Sequence, residues 1–321
     1  MTASRAAPTA APALPLLRPQ TGVAPGSPGL AESAATGALR ASMPCAASAA
    51  AAASTARTDQ AGPTAAPSAV TAPRFDWPAA QVGAVMSTRV GGVSRAPWAS
   101  LNLGRTVGDD ADAVAENRRR FAGCLDGARP VWLRQVHGRE VVRLGIDTAE
   151  HPQAPADGAW TTERGIACTV SAADCMPVLV AAADGSVVGA AHAGWRGLAA
   201  GVVESLLGAM LHGTGLTADD LRVWLGPCIG ARHFEVGAEV LHAFGVEPGL
   251  RDAPHFAFTP RADGSPRWHA DLPALAIARL QAAGVHQVRG SGVCTYSDAA
   301  RFYSHRRDGT TGRMAASIWR R

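Results

Sequence analysis

The sequence of 321 residues predicts an α/β fold. Two short apolar runs, 178–183 and 187–191, flank Asp184-Gly185, a dipeptide typical of the tight turn of a β-hairpin. The stretch 198–211 carries apolar residues at the spacing of an amphipathic helix. Further strand-like runs and helical stretches lie on both sides of this segment, so the chain combines both kinds of element.

A different composition marks residues 1–73, which are mostly Ala, Pro, Ser and Thr with scattered Arg. The prolines interrupt any hydrophobic periodicity, so this segment is predicted to be a disordered tail. We expect one folded domain over residues 74–321. The tail is either a segment of the transit-peptide type, because it bears Arg and few acids, or an inert extension before the true start.

The folded part is predicted to open with a strand at 84–88 and a glycine loop at 89–94. This loop is either an anion site, in which backbone N–H groups and Arg89 hold the ligand, or a simple turn. One residue of the pair Asp109-Asp110 is predicted to cap a helix over 111–122.

A second strand is predicted at 131–134, and His137 follows it in a turn. We expect 141–144 to return as the partner of that strand, 156–158 to turn, and 165–170 to lead back to the hairpin. A lone histidine at such a turn is structural more often than it is a ligand. His137 therefore becomes a candidate ligand only if it meets other ligand types in the fold.

The open end of the hairpin carries ligand types on both strands. Asp174 and Cys175 precede the first strand, and His192 ends the second. Because a hairpin brings its open ends together, Cys175 and His192 are expected to face one pocket. A thiolate beside an imidazole is a natural beginning of a zinc site.

Beyond the helix at 198–211, a strand at 222–225 leads to Cys228, which is either a second thiol in the pocket or a small buried residue. Helices are predicted at 235–244 and after Asp271, the second one ending at Gly284. Near the C-terminus, three arginines lie among glycines: Arg306, Arg307 and Arg313. They form either an anion site or a solvated turn with an ion pair to Asp308.

Composition excludes several functions. Every one of the 30 basic residues is Arg, which excludes a lysine Schiff base and a P-loop. The formal charge is +4 and the pI is about 9.0, but no basic run interleaved with aromatics occurs, so no nucleic-acid partner is expected. The six cysteines lack paired spacing, which favours reduced thiols in a cytoplasmic protein. No apolar run is long enough to span a membrane, so no membrane partner is expected.

Six groups of motifs, in order from Trp77 to Trp319, resemble the bacterial YfiH-like family, once labelled polyphenol oxidase or laccase-domain proteins. The matching stretches are Leu101-Asn-Leu-Gly104 with Glu116-Asn-Arg118, Gln135-Val-His-Gly138, Ala173-Asp-Cys-Met-Pro177, His192-Ala-Gly-Trp-Arg-Gly197, Gly226-Pro-Cys-Ile-Gly230 with Glu235-Val-Gly237, and Arg306-Arg-Asp-Gly309 with Thr311-Gly-Arg313. His305 departs from the aromatic residue expected before the arginine pair. The tail has no counterpart in the family.

The resemblance implies a single-domain α/β/β/α sandwich with a mixed sheet. It also implies one zinc ion held by His137, Cys175 and His192, and three protein ligands leave a coordination position open, as in catalytic zinc sites. Asp174, next to a ligand, would orient His192, accept a proton, or only cap a turn.

The same resemblance implies a purine nucleoside phosphorylase, a transferase that cleaves adenosine, inosine, guanosine or methylthioadenosine with phosphate. Deamination of adenosine, a hydrolase reaction, is a second implied activity. Contacts to substrate and phosphate are expected from six residues: Arg89, Asn102, Cys228, Arg306, Arg307 and Arg313. The alternatives are a zinc amide hydrolase that edits peptidoglycan precursors, a copper polyphenol oxidase, and a non-enzymatic binding protein. The copper oxidase fits least among the enzymes, because the ten histidines include no His-x-His pair.

Overall fold

The computed structural model describes Trp77 and residues 79–321. The predicted tail over 1–73 and the domain start at residue 74 lie outside the described residues and stay predictions.

The described chain combines strands with helices, and six strands follow one another between the first two α-helices. The strands are β1 (Val82–Met86), β2 (Arg129–Trp132), β3 (Val141–Arg143), β4 (Gly158–Thr161), β5 (Ile166–Ala172), β6 (Met176–Ala182), β7 (Val188–Ala193), β8 (Leu221–Leu225), β9 (Glu235–Val236), β10 (Phe256–Phe258), β11 (Trp268–Ala270), β12 (Val288–Gly290) and β13 (Met314–Arg320). The α-helices are α1 (Ala111–Ala122), α2 (Trp195–Ala200), α3 (Val202–Thr214), α4 (Ala238–Ala243), α5 (Leu272–Ala282) and α6 (His305–Asp308). No helix in this part of the chain is both long and apolar enough to cross a membrane.

Two mixed sheets form the centre of the fold. One has the strand order β1-β13-β5-β2 and the other β12-β8-β6-β7-β4-β3, while β10-β11-β9 form a small third sheet. Each large sheet contains parallel and antiparallel neighbours. In the four-stranded sheet β5 pairs in parallel with β2 and antiparallel with β13, and in the six-stranded sheet β4 pairs in parallel with β3 and antiparallel with β7. The predicted α/β class and the mixed sheet are confirmed.

The core shows how the layers stack. Along β6, Leu179 and Ala181 belong to an apolar cluster shared with the four-stranded sheet, whereas Val178 and Val180 belong to a cluster with α2, α3 and α5. This alternation follows from the two-residue period of a strand. A third cluster joins Phe121 of α1 to the outer face of the four-stranded sheet. The order helix, sheet, sheet, helix is the sandwich that the family resemblance implied.

Local sequence signals located some elements well. Asp110 caps α1, its carboxylate accepting the Ala113 N–H at 2.8 Å. The hairpin of β6 and β7 forms as predicted, with Gly185 at φ 72° in its turn. Such a left-handed conformation favours glycine.

Three predictions on elements were wrong. Strand β3 is not the partner of β2, since it pairs with β4 in the other sheet. The single helix over 198–211 is two helices, because Gly201 adopts φ 96° between α2 and α3. The helix expected over 235–244 begins only at Ala238, after the short strand β9. Strand β13, which is central in its sheet, was missed.

Candidate metal centre and active site

The hairpin and one loop bring three ligand types together. Pairing of β6 with β7 sets Pro177 opposite His192, so Cys175 comes directly before the paired end. His137 lies in the loop after β2 at φ 61°, a conformation uncommon for residues other than glycine. The loop turns there and directs the His137 ring toward the end of the hairpin, where Cys175 and His192 meet it.

The geometry of this cluster fits a metal ion. Nε2 of His137 lies 3.8 Å from Sγ of Cys175, and the ligand atoms of His137, Cys175 and His192 all lie within 4.8 Å of one another. Tetrahedral zinc with bonds of about 2.0 to 2.3 Å separates its ligand atoms by roughly 3.3 to 3.8 Å. His192 is buried, Cys175 half-buried and His137 exposed, so the cluster opens to solvent on the His137 side.

Asp157 supports the cluster from beneath. The carboxylate is fully buried, and its Oδ1 lies 2.9 Å from Nδ1 of His192. The same carboxylate accepts the backbone N–H groups of Val136, His137 and Gly138 at 2.8 to 3.0 Å. It therefore fixes the ring of one ligand and the loop that carries another. The sequence indicated only a turn at Asp157, although a carboxylate directly before a fully buried strand is itself a signal.

Charge within the cluster favours the thiolate. Burial opposes ionisation of Cys175, but the charge on His192 and hydrogen bonds from both imidazoles outweigh it and lower the pKa of the thiol to about 6. Burial likewise opposes protonation of His192, but the Cys175 thiolate and Asp157 raise the pKa of that imidazole to about 9. A thiolate is the form of cysteine that binds metals.

Asp174 ties the cluster to the C-terminal segment. Its carboxylate accepts hydrogen bonds from Oγ1 of Thr295 at 2.6 Å, Oγ of Ser304 at 3.0 Å and the N–H of Arg306 at 2.7 Å. Of the roles considered for Asp174, the orientation of His192 falls to Asp157, whose carboxylate lies at Nδ1 of that ring. Asp174 instead anchors the start of α6 next to Cys175.

Gly194 allows the cluster to close. A Cβ on this residue would lie 2.8 Å from Sγ of Cys175 and 3.0 Å from Cδ2 of His137. Contacts under 3.0 Å are closer than carbon and sulfur tolerate, so the backbone of Gly194 forms one wall of the cluster.

Arg313 is the predicted phosphate ligand that best fits this role. It lies within electrostatic reach of Cys175 and Asp174, and burial lowers the pKa of its guanidinium despite these two groups. Nη1 donates to the carbonyls of Thr311 and Gly312. Nε and Nη2 have no hydrogen-bond partner among the described residues, so one edge of the guanidinium is available to an anion.

Asn102 has a structural role in the described chain. It is fully buried, and its Oδ1 accepts the backbone N–H groups of Gly104 and Arg313, each at 2.9 Å. Its Nδ2 donates to the Gly104 carbonyl and to Asp109. No hydrogen-bonding capacity remains for a substrate, and Asn102 instead positions the backbone of Arg313.

Arg307 also lacks a free donor. Its Nη1 donates to the carbonyls of Thr295 and Tyr296, and its Nη2 to that of Phe302. Nε and Nη2 complete an ion pair with Asp308. All five N–H donors are engaged, which agrees with the structural alternative of a turn with an ion pair to Asp308.

Internal hydrogen bonds and one cation–π contact stabilise the glycine loop after β1. Arg89 donates to the carbonyls of Ala99 and Ala299 and lies over the ring of Tyr303. The N–H groups of Gly92 and Val93 donate to the side chains of Ser100 and Asn117. These contacts agree with the alternative in which the loop is a simple turn.

Cys228 is a buried residue of the apolar core, 3% exposed, and burial raises the pKa of its thiol. It does not join the ligand cluster. This burial agrees with the alternative in which Cys228 is a small buried residue.

A groove of about 830 Å³ is lined in part by Trp195 and Arg196, which follow His192 closely in sequence, and by none of the three ligand residues. Its lining includes the aromatic rings of Trp195, Phe234 and Trp268 and four arginines: Arg196, Arg261, Arg267 and Arg306. Arg306 donates from Nη1 to the Glu235 carbonyl at 2.8 Å and lies over the Phe234 ring. The groove combines aromatic rings with arginines, two of which, Arg261 and Arg267, form ion pairs with Glu235 in the same lining.

Fold and site define an α/β/β/α protein with a candidate mononuclear His-Cys-His metal centre and an arginine-bearing groove. The chain belongs to the YfiH-like family: residues 83–321 match the family described as multi-copper polyphenol oxidoreductase laccase.

Named relatives and solved structures agree with this assignment. The chain is 49% identical over 245 residues to purine nucleoside phosphorylase PA4543 of Pseudomonas aeruginosa, covering 76% of this chain and 96% of that protein. It is 45% identical over 246 residues to purine nucleoside phosphorylase YfiH of Escherichia coli K12, with coverage of 76% and 96%. The crystal structure of Neisseria meningitidis protein NMB0706 is similar with a TM-score of 0.67 at 39% identity, covering 78% of this chain and 98% of that one.

Proposed function

We propose that this protein is a zinc-dependent purine nucleoside phosphorylase that acts on adenosine first, and also on inosine, guanosine or methylthioadenosine. Phosphate attacks C1′ of the ribose, the bond from C1′ to the purine nitrogen breaks, and its electron pair leaves with the base. The purine takes up a proton, and ribose 1-phosphate is the second product. The names of the relatives from Pseudomonas and Escherichia support this choice of reaction.

The observation that carries the proposal is the free edge of Arg313, whose guanidinium lies within electrostatic reach of Cys175 and Asp174. Its Nε and Nη2 form a planar fork that matches two phosphate oxygens. Phosphorolysis requires the phosphate to be held in line with C1′, which such a fork provides. Asn102 fixes the backbone of Arg313 through Oδ1, so the fork is held in place before phosphate arrives.

We assign the metal to zinc because one thiolate and two imidazoles are ligands that zinc prefers. A bound zinc ion supplies a Lewis acid beside the substrate. Asp157 would keep His192 and His137 oriented toward the ion. The aromatic rings of Trp195 and Phe234 would take the flat purine, and Arg306 would hold an anionic or carbonyl oxygen nearby.

The test incubates the purified protein with adenosine, with and without phosphate, and identifies the products by mass spectrometry. We expect adenine and ribose 1-phosphate only when phosphate is present. Arg313→Ala should raise KM for phosphate at least about 10-fold, the effect of one lost charge-assisted contact of about 1.5 kcal/mol, and change KM for adenosine less. Arg289→Ala, which removes an exposed arginine from strand β12, is the matched control and should leave both constants unchanged. Equal release of adenine without phosphate contradicts the proposal.

The same incubation, repeated with a muropeptide precursor as substrate, distinguishes two other reactions. Deamination of adenosine gives inosine and ammonia and is favoured by a three-ligand site with an open position. Amide hydrolysis of a phosphorylated peptidoglycan precursor is favoured by the arginines along the groove, and cleavage of a muropeptide precursor alone would support it. A multicopper oxidase needs several converging imidazoles, whereas among residues 79–321 one group of three or more metal-type ligands occurs, with two histidines.

We place this enzyme in the cytoplasm. The five cysteines in the described part of the chain are all free thiols, including half-buried Cys175 and Cys294. A reducing compartment keeps such thiols available for metal binding.

A further inference from the structure

Two cysteines outside the metal cluster lie opposite each other on neighbouring segments. Cys228 and Cys294 are partners in an isolated parallel β-bridge, and the Thr295 N–H donates to the Cys228 carbonyl at 2.9 Å. Neighbouring strands lie about 4.8 Å apart, and a disulfide needs Cα atoms about 4.4 to 6.8 Å apart. The backbone register therefore brings these two residues within the range of a disulfide.

The side chain of Cys294 points toward the segment that carries Cys228. Its Sγ accepts the backbone N–H of Gly230 at 3.1 Å, and a Cβ built on Gly230 would lie 3.2 Å from that sulfur. Gly230 is two residues beyond Cys228, so it shares the same side of an extended segment. The Cys294 sulfur is thus held over the 228–230 segment.

The two thiols differ in their surroundings. Cys294 is half-buried, and although burial opposes its ionisation, hydrogen bonds from Ser297 and from the Gly230 N–H lower the pKa of its thiol. Cys228 is buried, and its burial, together with the charge on Cys294, raises the pKa of its thiol. An accessible thiolate beside a second, shielded thiol is the arrangement of a redox-sensitive pair.

We propose that Cys294 is a peroxide-reactive thiol and that Cys228 resolves the product into a disulfide. The Cys294 thiolate attacks one oxygen of a hydroperoxide, the O–O bond breaks, and Cys294 becomes a sulfenic acid while hydroxide or alkoxide leaves. The Cys228 sulfur then attacks the Cys294 sulfur, the S–O bond breaks, and water leaves with the Cys228 proton. The hydroperoxide is the oxidant, and both sulfurs are oxidised.

This bond acts on the metal cluster through Asp174. Ile229, next to Cys228, donates its N–H to the Asp174 carbonyl at 3.0 Å. Thr295, next to Cys294, donates its hydroxyl to the Asp174 carboxylate at 2.6 Å. Drawing the two cysteines together shifts both residues that hold Asp174, which directly precedes Cys175. We therefore expect reversible loss of activity on oxidation.

The test treats the reduced, metal-loaded full chain with hydrogen peroxide and digests it with trypsin. A disulfide should link peptide 223–232 to peptide 290–301, and dithiothreitol should reverse it. In Cys228→Ala the sulfenic acid cannot be resolved, so dimedone should label Cys294. Cys294→Ser should show neither product, and Cys45→Ser, which removes a thiol outside the described residues, is the matched control that should behave like the parent protein.

The linked peptides and the dimedone adduct are detected whether or not the protein is a phosphorylase. A negative result for the cysteine pair is therefore distinguishable from a negative result for the proposed function. If neither the linked peptides nor a dimedone adduct on Cys294 forms, the pair is not redox-active. Phosphorolysis, where the enzyme supports it, should fall roughly 10-fold or more on oxidation and recover with dithiothreitol. If oxidation lowers the phosphorolysis activity of Cys294→Ser as much as that of the parent protein, while circular dichroism shows intact folding, the link from Cys294 to the active site is overturned. The oxidised residue responsible would then be Cys175.

Discussion

Oδ1 of Asp157 lies 2.9 Å from Nδ1 of His192, and both side chains are buried beneath the open face of the metal cluster. This contact leaves Nε2 of His192 to face Cys175 and His137. A carboxylate in this position sets the tautomer of a ligating histidine and raises its affinity for a metal.

Asp157→Asn is expected to weaken metal binding by about 10- to 100-fold. The amide has one oxygen where the carboxylate has two, so it cannot both accept the loop N–H groups and hold His192. Competition with a chelator measures the affinity. Asp147→Asn, which alters an exposed acid, is the control. Unchanged affinity in the Asp157 variant would show that the backbone alone orients His192.

Cys175→Ser should lose zinc, because a hydroxyl is a far poorer ligand than a thiolate. Cys228→Ser, a matched change at a buried thiol outside the cluster, should retain it. Metal analysis of both purified variants shows which of the two thiols binds zinc. Full occupancy in the first variant, or loss in the second, means that the wrong thiol has been assigned.

Gly194→Ala is expected to abolish tight metal binding while the protein stays folded. The φ of this residue is −71°, which any residue adopts, so the cost comes only from the added methyl group against Cys175 and His137. Gly208→Ala within α3 is the control, since its Cβ meets no atom within 4 Å. That control should stabilise the protein by about 0.5 to 1 kcal/mol. Thermal melting and metal analysis measure the two effects, and normal metal content in Gly194→Ala would contradict the geometry.

In metal-free protein, alkylation of Cys175 should depend on pH with a midpoint near the thiol pKa of about 6. The thiolate is the reactive form, so the rate rises as pH increases through that value, well below about 8.5 for an ordinary cysteine. His192→Asn removes the positive charge that lowers the pKa, so the midpoint should move upward. Buried Cys168 is the internal control and should stay unmodified, because burial raises the pKa of its thiol. A midpoint near 8.5 in the parent protein would contradict the charge arrangement.

The sequence by itself determined the elements whose signals are local. The Asp184-Gly185 turn fixed the hairpin that joins Cys175 to His192, and the Asp110 cap fixed the start of α1. Each signal acts within a few residues, where turn geometry and capping hydrogen bonds dominate.

Only the tertiary structure decided which polar groups remain available to a ligand. Arg307 and Arg313 have similar sequence surroundings. Every donor of Arg307 is engaged, by the carbonyls of residues 295, 296 and 302 and by the Asp308 carboxylate. One edge of the Arg313 guanidinium, in contrast, stays open. Asp157 likewise became the support of His192 only when β4 paired with β7. Hydrogen bonds between distant segments are set by how strands pair, and that pairing depends on burial across the whole core and not on neighbours in sequence.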